Sequence, residues 1–317
     1  MYHILTDDDI NRSLPMDRVI KTIERSLRAK NAGQLIAPPR FSVDVEKGAL
    51  VFTAGAETME SHTIGFRVYD SFQSDAPERT QLVAVFDSRT GAFKGLCVGV
   101  MIGALRTAAI NAIAIKHMAR PDVKRLGILG SGLQARTLCR AAVLVRHFDS
   151  AMVYSPTVSH RQAFADELSH KTGIPIKAFS SAEDVVRKAD VLICASNSLT
   201  SILDAGWLSP GMHINTLGPK FKDRHELPVE AARKSHTIVT DSLQQVDGYE
   251  SYAAPFFLQN TPERKRMIEL DELVADKRKG RSSPDELTLF CSVGLAGTEV
   301  VLADAAFKSL TKRQQFL

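Results

Sequence analysis

The sequence KRLGILGSGLQAR, residues 124–136, places an apolar strand before a glycine turn and a helix after it. The turn is spaced G-x-G-x-x-A at Gly130, Gly132 and Ala135. Two glycines at this spacing recur by chance, but the strand and helix around them are the context that supports a dinucleotide-binding turn. Gly130 permits the tight turn, and Gly132 lets backbone amides approach a pyrophosphate at the positive end of the helix. We therefore predict a Rossmann-type nucleotide site whose turn also includes Ser131 and Leu133.

The end of the next strand bears on the choice between NAD and NADP. NAD sites usually carry an acidic residue there, which binds the ribose 2′-hydroxyl. This chain reads VYSPTVSHR instead, with no acid. Ser155, Thr157 and Arg161 could hold a 2′-phosphate, so NADP is favoured over NAD, although Arg161 could also be an ordinary residue of the helix surface.

The order of apolar segments predicts two domains of different class. From about Arg120 onward, helices alternate with nearly continuous apolar strands, which predicts a parallel sheet covered on both faces. Residues 41–100 read instead as short strands with turns between them. The fold class is therefore α/β: a doubly wound domain over residues 120–291, plus an α+β domain over 1–119 and 292–317. Residues 260–286 are strongly charged, which predicts a solvated helix and loop.

Composition excludes several classes of partner. The net charge is +4, with no dense basic run, so nucleic acid is not expected. No apolar run approaches the roughly 18 residues that a membrane span needs. The four cysteines lie far apart in apolar context, which is typical of buried thiols in a reducing, cytoplasmic compartment rather than of disulfides or a metal site.

Three arginines lie in apolar or small surroundings: Arg40 in APPRFSV, Arg67 in GFRVYDS and Arg106 in GALRTAA. A buried guanidinium is costly without a partner, and its planar fork matches a carboxylate. The three together indicate a site for an anionic substrate group. Any one of them could equally be part of a structural ion pair.

These stretches together resemble the ornithine cyclodeaminase/μ-crystallin family. The motifs PPR (38–40), ALRTAA (104–109), GILGSGLQA (127–135), DVLICAS (190–196), PGMHINTLG (210–218) and LFCSVGLA (289–296) occur in family order. The resemblance implies a substrate-binding and dimerisation domain, to which the C-terminal segment returns, and a usual homodimer. It also implies that Arg40 and Arg106 bind a substrate carboxylate and that Thr107 and Gln134 line the nucleotide. We expect Ala195, Ser196 and Gly218 to line it as well.

Two positions depart from the family pattern. Arg67 stands where many members have a lysine that assists the chemistry, and an arginine can orient and polarise but hardly ever exchanges a proton. Lys220 stands where cyclodeaminases have an aspartate, counting from Gly218. Asp223 or His225 could supply the missing acid, and Lys220 could instead point to solvent. We name Arg67, Lys220 and Tyr69 as candidate catalytic residues, the last two as proton donors.

Both departures favour hydride transfer over the release of ammonia. The predicted function is an NAD(P)-dependent reductase or dehydrogenase of small amino or imino acids that carry a carboxylate. One alternative is the ammonia-releasing cyclisation of ornithine with bound NAD. Another is an NADPH-dependent binding protein of the μ-crystallin type, because function depends on the site rather than on the fold.

Overall fold

The computed structural model describes residues 3–72, 80–248 and 254–314. The chain divides into two compact units. The first comprises residues up to Ala109 and from Gly294 onward, and the second is Ile110–Val293. The first division falls inside a helix, about ten residues before the boundary expected from the sequence.

The strands and helices have the following bounds. The strands are β1 (His3–Leu5), β2 (Leu35–Ile36), β3 (Phe41–Val45), β4 (Gly48–Glu57), β5 (Thr63–Asp70), β6 (Leu82–Asp87), β7 (Phe93–Val98), β8 (Arg125–Leu129), β9 (Ser150–Tyr154), β10 (Ile176–Ala178), β11 (Val191–Cys194), β12 (His213–Thr216), β13 (Thr237–Thr240), β14 (Met267–Glu269) and β15 (Thr288–Cys291). The helices are α1 (Asp7–Ser13), α2 (Met16–Asn31), α3 (Met101–Met118), α4 (Leu133–Val145), α5 (Val158–Thr172), α6 (Ala182–Lys188), α7 (Val229–Lys234), α8 (Leu243–Asp247), α9 (Pro262–Lys265), α10 (Leu270–Val274) and α11 (Thr298–Gln314). Short 3-10 turns lie at Ala205–Trp207 and Pro255–Phe257.

The first unit is a largely antiparallel sheet with helices on one face. Its strand order is β1-β7-β6-β5-β4-β2, and β3 pairs with β4. Helices α2 and α11 bury their apolar sides, including Ile23, Leu27 and Leu302. Because side chains alternate along a strand, Gly65, Arg67 and Tyr69 of β5 share the face that α11 contacts.

The second unit is a parallel sheet of order β10-β9-β8-β11-β12-β15-β13-β14. Strand order runs one way from β8 to β10 and the other way from β8 to β14, as in a doubly wound fold. The α/β fold class predicted from the sequence is confirmed. Strand β15, from the C-terminal part of the chain, is inserted between β12 and β13.

The charged segment at 260–286 contains more order than the sequence prediction gave it. Its residues form α9, the edge strand β14 and α10, and Leu270 and Val274 are fully buried. The charged composition of this segment does not predict a strand. The three residues of β14 form one because the tertiary fold places them beside β13. None of the described helices is both long enough and apolar enough to cross a bilayer.

Candidate active site

The glycine turn joins β8 to α4 at the carboxyl edge of the parallel sheet. Gly130 has φ +122°, a conformation that favours glycine. A Cβ atom on Gly130 would overlap the carbonyl group of Ala195, which follows β11. The turn therefore packs directly against the end of the neighbouring strand, at the point where strand order reverses, which is where doubly wound sheets bind ligands.

The same turn leaves room and unused polar groups for a nucleotide. Among the described residues, no atom lies within 4 Å of a Cβ built on Gly132, which begins α4 without a side-chain cap. The first amides of α4 are therefore available to a phosphate. Within the described part of the chain, the Oε1 atom of Gln134 is buried and has no hydrogen-bond partner. Leu133 is exposed beside it. These features fit a dinucleotide.

The end of β9 carries hydroxyl groups and a cation. The hydroxyl groups of Ser131 and Ser155 lie 3.0 Å apart, which joins the glycine turn to β9. Nη1 of Arg161 donates to the carbonyl oxygens of Ser155 (2.9 Å) and Pro156 (3.1 Å). Thr157 is exposed as the residue that precedes α5. The guanidinium predicted to be near a 2′-phosphate therefore lies at this strand end.

A carboxylate that was not among the predicted site residues organises the ends of β11 and β12. Glu226 is fully buried. Its Oε2 accepts hydrogen bonds from the amide and hydroxyl of Ser196, at 3.0 and 2.9 Å. Its Oε1 accepts from the Thr216 hydroxyl at 2.7 Å, from the Leu217 amide at 3.0 Å and from the Gly218 amide. In the sequence Glu226 is one of several charged residues of a loop, and its neighbours along the chain do not indicate that it is buried.

Lys220 lies inside the second unit. Its Nζ donates to the carbonyl oxygen of Gly218 at 2.9 Å. Burial lowers the pKa of Lys220, and the negative charge of Glu226 opposes that shift. The side chain therefore does not point to solvent. The ammonium group binds the backbone of its own loop, and the role of Lys220 as a proton donor stays a prediction.

The two residues considered as substitutes for the missing aspartate lie on the outer part of the loop. The Asp223 side chain is 81% exposed and 3.7 Å from Arg224. The His225 ring nitrogen Nδ1 is 3.0 Å from the Phe221 carbonyl oxygen, and Lys220 and His225 form an isolated antiparallel bridge. The loop thus closes as a turn with Asp223 at its exposed tip.

In the first unit, Arg67 and Arg106 share one buried carboxylate. Oε1 of Glu299, at the start of α11, is 3.1 Å from Nη1 of Arg67 and 3.0 Å from Nη2 of Arg106. Nε of Arg67 also donates to Oε1 of Gln81 at 2.9 Å, and its guanidinium carbon lies 4.2 Å from the centre of the Tyr69 ring. Arg67 is therefore held on three sides, and Glu299 was not predicted from the sequence.

The charges in this cluster are strongly coupled. Burial lowers the pKa of Arg67, while the charge of Glu299 raises it. Burial alone would raise the pKa of Glu299, but the charges of Arg106 and Arg67 outweigh it, so the pKa lies below its ordinary value. The carboxylate is thus ionised, and it holds both guanidinium groups in place.

Arg40 and Arg106 converge on one glycine. Gly294 has φ +96°, and a Cβ built on it would lie 3.1 Å from Nη2 of Arg40 and 3.3 Å from Nη1 of Arg106. Nη1 of Arg40 donates to the Tyr69 hydroxyl at 3.1 Å. Two guanidinium groups around one point form a fork suited to a carboxylate, and a side chain at 294 would fill it.

Thr107 follows Arg106 on α3, and its hydroxyl donates to the Gly103 carbonyl oxygen at 2.8 Å. The predicted substrate residues Arg40, Arg67 and Arg106 are therefore brought together in the first unit, with Tyr69. The predicted residues of the nucleotide turn are brought together with Ala195, Ser196 and Gly218 in the second.

The second unit has the Rossmann fold that is typical of dinucleotide-binding proteins, and comparison with known proteins identifies the family of the chain. The model of the ornithine cyclodeaminase/mu-crystallin family matches residues 2–313, so the chain belongs to this family. Delta(1)-pyrroline-2-carboxylate reductase of Thermococcus litoralis, solved in complex with NADH and L-proline, is similar in structure, with a TM-score of 0.90, 31% identity and 98% of each chain covered.

Two curated relatives are similar over nearly their whole length. Delta(1)-pyrroline-2-carboxylate reductase of a Bacillus cereus strain is 26% identical over 333 residues, which cover 98% of this chain and 97% of that protein. Ketimine reductase mu-crystallin of Macropus fuliginosus is 26% identical over 315 residues, which cover 96% of each. The resemblance seen in the sequence motifs is confirmed.

Proposed function

We propose that this protein is an NAD(P)-dependent reductase of small imino acids, acting on a carbon–nitrogen bond next to a carboxylate. The observation that carries the proposal is the convergence of Arg40 and Arg106 over Gly294. Arg67 and Arg106 share the carboxylate of Glu299, so Arg106 is presented to Gly294 from a buried, ion-paired position. The relatives named for pyrroline-2-carboxylate and ketimine reduction support the same chemistry.

The three arginines have different roles in the proposed reaction. Arg40 and Arg106 bind the substrate carboxylate and fix its orientation, which lowers the entropic part of the barrier. Arg67, held by Glu299 and Gln81, adds positive charge without exchanging a proton. Nicotinamide, when bound, supplies a hydride to the imine carbon. The carbon–nitrogen π electrons then move to nitrogen, which needs one proton.

We assign that proton to Tyr69. Its oxygen accepts a hydrogen bond from Arg40, so its own hydrogen is directed elsewhere. Arg67 lies over the ring and Arg40 at the oxygen, and both cations stabilise the negative charge that donation leaves behind. Lys220, the other candidate, is bound to Gly218.

We propose that the second unit binds the nucleotide and that NADP is favoured. Gly130, Ser131, Gly132, Leu133 and Gln134 receive the pyrophosphate end, and Ala195, Ser196 and Gly218 line the strand ends. Ser155, Thr157 and Arg161 receive the 2′-phosphate, since no acidic side chain stands at the end of β9. Thr107 is proposed as a further nucleotide contact.

We propose that the first unit also forms a homodimer. The face of its sheet opposite α11 carries large apolar side chains that are exposed: Ile4, Phe41, Val43, Leu50, Ile64 and Phe66. Phe41 and Phe52 stack across β3 and β4, with ring centroids 5.1 Å apart. A continuous apolar sheet face is typical of a self-complementary interface.

The four buried free cysteines fit a reducing, cytoplasmic compartment.

A substrate panel tests the activity. Purified protein is mixed with NADPH or NADH and with pyrroline-2-carboxylate, pyruvate plus an amine, or iminosuccinate. We expect loss of the reduced nicotinamide absorbance with at least one imine, and no turnover on any would refute the proposal. Tight NADPH binding without turnover would favour a binding protein. Proline and ammonia formed from ornithine without added cofactor would favour a cyclodeaminase.

A further inference from the structure

We propose that Glu226 and Lys220 are a pair of positioning residues that fixes the strand-end loops of the nucleotide site. The inference rests on the proposed nucleotide site in the second unit. Glu226 was not among the site residues predicted from the sequence, and the proposal gives it a role. It also changes the role of Lys220 from proton donor to support of the loop backbone.

Glu226 joins two loops that follow adjacent strands. Ser196 follows β11 by two residues, and Leu217 and Gly218 follow β12 directly. One oxygen of Glu226 binds the first loop and the other binds the second. A buried carboxylate binds three backbone amides just past the ends of the two strands, and the Leu217 amide also donates to the Cys194 carbonyl oxygen at 2.9 Å. Hydrogen bonds to a charged acceptor are stronger than neutral ones.

Gly218 is held through both of its backbone polar groups. Its amide donates to Glu226, and its carbonyl oxygen accepts from Nζ of Lys220. A Cβ atom at this position would overlap the Glu226 carboxylate and lie 2.5 Å from the Ser196 carbonyl oxygen. The peptide at Gly218 thus has no freedom to shift while both charged side chains are in place.

The restraint extends to the glycine turn. The Cβ position of Gly130 lies against the Ala195 carbonyl and 3.4 Å from the Ser196 amide nitrogen, which Glu226 binds. Movement of the loop after β11 would therefore change the space beside the turn that binds the pyrophosphate. Glu226 supports both halves of the nucleotide site through Ser196.

The surroundings of Lys220 fit support rather than proton transfer. Its charge interacts with Glu226, Cys291, Asp241 and Cys194. Cys194 and Cys291 are fully buried members of the apolar core of the second unit. The negative charge of Glu226 opposes the lowering of the Lys220 pKa by burial. Glu226 and Lys220 hold the same glycine, one through its amide and the other through its carbonyl oxygen.

The test compares three variants of the full-length protein. Glu226→Gln keeps the shape but places an amide group against donors. Lys220→Met keeps the length and removes the donor to Gly218. Asp190→Asn is the matched control: Asp190 also accepts from two backbone amides, Lys124 and Arg125, but lies at the amino ends of β8 and β11. The dissociation constants of NADPH and NADH are measured from the fluorescence of the single tryptophan, Trp207, with thermal unfolding in parallel.

We expect Glu226→Gln and Lys220→Met to weaken nucleotide binding at least about tenfold, the effect of losing one hydrogen bond to a charged group. Asp190→Asn should lower the melting temperature without changing the dissociation constant. At saturating cofactor, Lys220→Met should keep kcat within about tenfold, whereas loss of a proton donor costs about 10²- to 10⁴-fold.

The outcomes separate the two proposals. If the wild-type protein binds neither nucleotide, the proposed function is wrong. If it binds nucleotide and Glu226→Gln binds equally well, the positioning role is wrong. A large fall in kcat for Lys220→Met with unchanged cofactor affinity would restore the proton-donor role of Lys220. If Glu226→Gln does not fold, the Lys220→Met measurements decide the question, because that variant alters the same glycine by a different bond.

Discussion

Nη1 of Arg67 lies 3.1 Å from Oε1 of Glu299, and both side chains are buried. The same oxygen is 3.0 Å from Nη2 of Arg106, so a single carboxylate separates two positive charges. This relationship shows how Arg67 and Arg106 can lie close together while buried. Arg106 also converges with Arg40 on Gly294, so the pair held by Glu299 adjoins the proposed carboxylate site.

We expect Glu299→Gln to destabilise the protein by about 3–5 kcal/mol, because removing one partner leaves buried charges uncompensated. Chemical unfolding measures the change. The exposed pair of Glu60 and Arg25 gives the control, and Glu60→Gln should cost less than about 1 kcal/mol. Since the folded pKa of Glu299 is lowered, its contribution is present above the unfolded value of 4.5 and is lost as pH falls through the folded value. A pH-independent difference between wild type and variant would contradict this account.

We expect Arg40→Lys to raise KM for the imino acid about 10- to 100-fold, because the fork loses a charge-assisted hydrogen bond worth about 1.5–3 kcal/mol. Steady-state kinetics at saturating cofactor measure it, and the dissociation constant of the nucleotide should not change. Arg25→Lys, on the exposed side of α2, is the control. An unchanged KM would mean that Arg40 does not bind the carboxylate.

We expect Tyr69→Phe to lower kcat about 10²- to 10⁴-fold, the usual contribution of a positioned acid. The ring still lies beneath Arg67, so the packing is retained and only the hydroxyl is lost. Substrate KM and nucleotide affinity serve as internal controls and should change little. Retention of kcat would show that the proton comes from another group.

We expect Arg161→Ala to weaken NADPH binding more than NADH binding, because only NADPH carries the 2′-phosphate. Equilibrium titrations with both nucleotides measure the ratio. Arg187→Ala, which breaks an exposed ion pair with Glu183 on α6, should leave the ratio unchanged. An equal loss for both nucleotides would assign Arg161 to support of the β9 end, through its bonds to Ser155 and Pro156.

We expect Phe66→Glu to convert the proposed dimer to a monomer, because it places a charge in the apolar sheet face. Phe66 is 38% exposed, and Leu144 on α4 is 54% exposed. Leu144→Glu therefore controls for a charge at an exposed apolar site in the other unit. Sedimentation velocity gives the mass. A wild-type monomer would refute the proposed assembly at once.

Local signals were enough to predict the parts of the molecule that depend on short stretches. The glycine turn and the strand–helix alternation after Arg120 follow from neighbouring residues, and the structure contains both of them. The three arginines could be predicted because charged residues are conspicuous in apolar sequence. The carboxylate that pairs with Arg67 and Arg106 could not be predicted, because Glu299 is 232 residues from Arg67 in the chain.

Long-range pairing explains the other differences. Strand β14 is a short strand in a charged segment, and its partner β13 lies well before it in the chain, with α8, a 3-10 turn and α9 between them. Glu226 and Lys220 look like a solvated charge cluster when read along the chain, and only the ends of β11 and β12 give them a buried setting. Lys220 is therefore the residue whose expected role changes most.

The position of β15 has a consequence for how the protein is made. Residues 288–291 form a strand inside the sheet of the second unit, flanked by β12 and β13. On the ribosome, domains usually fold in order as they emerge. Here the sheet of the second unit stays open between β12 and β13 until residues 288–291 have left the exit tunnel. Termination before residue 288 would therefore expose the edges of two apolar strands at once.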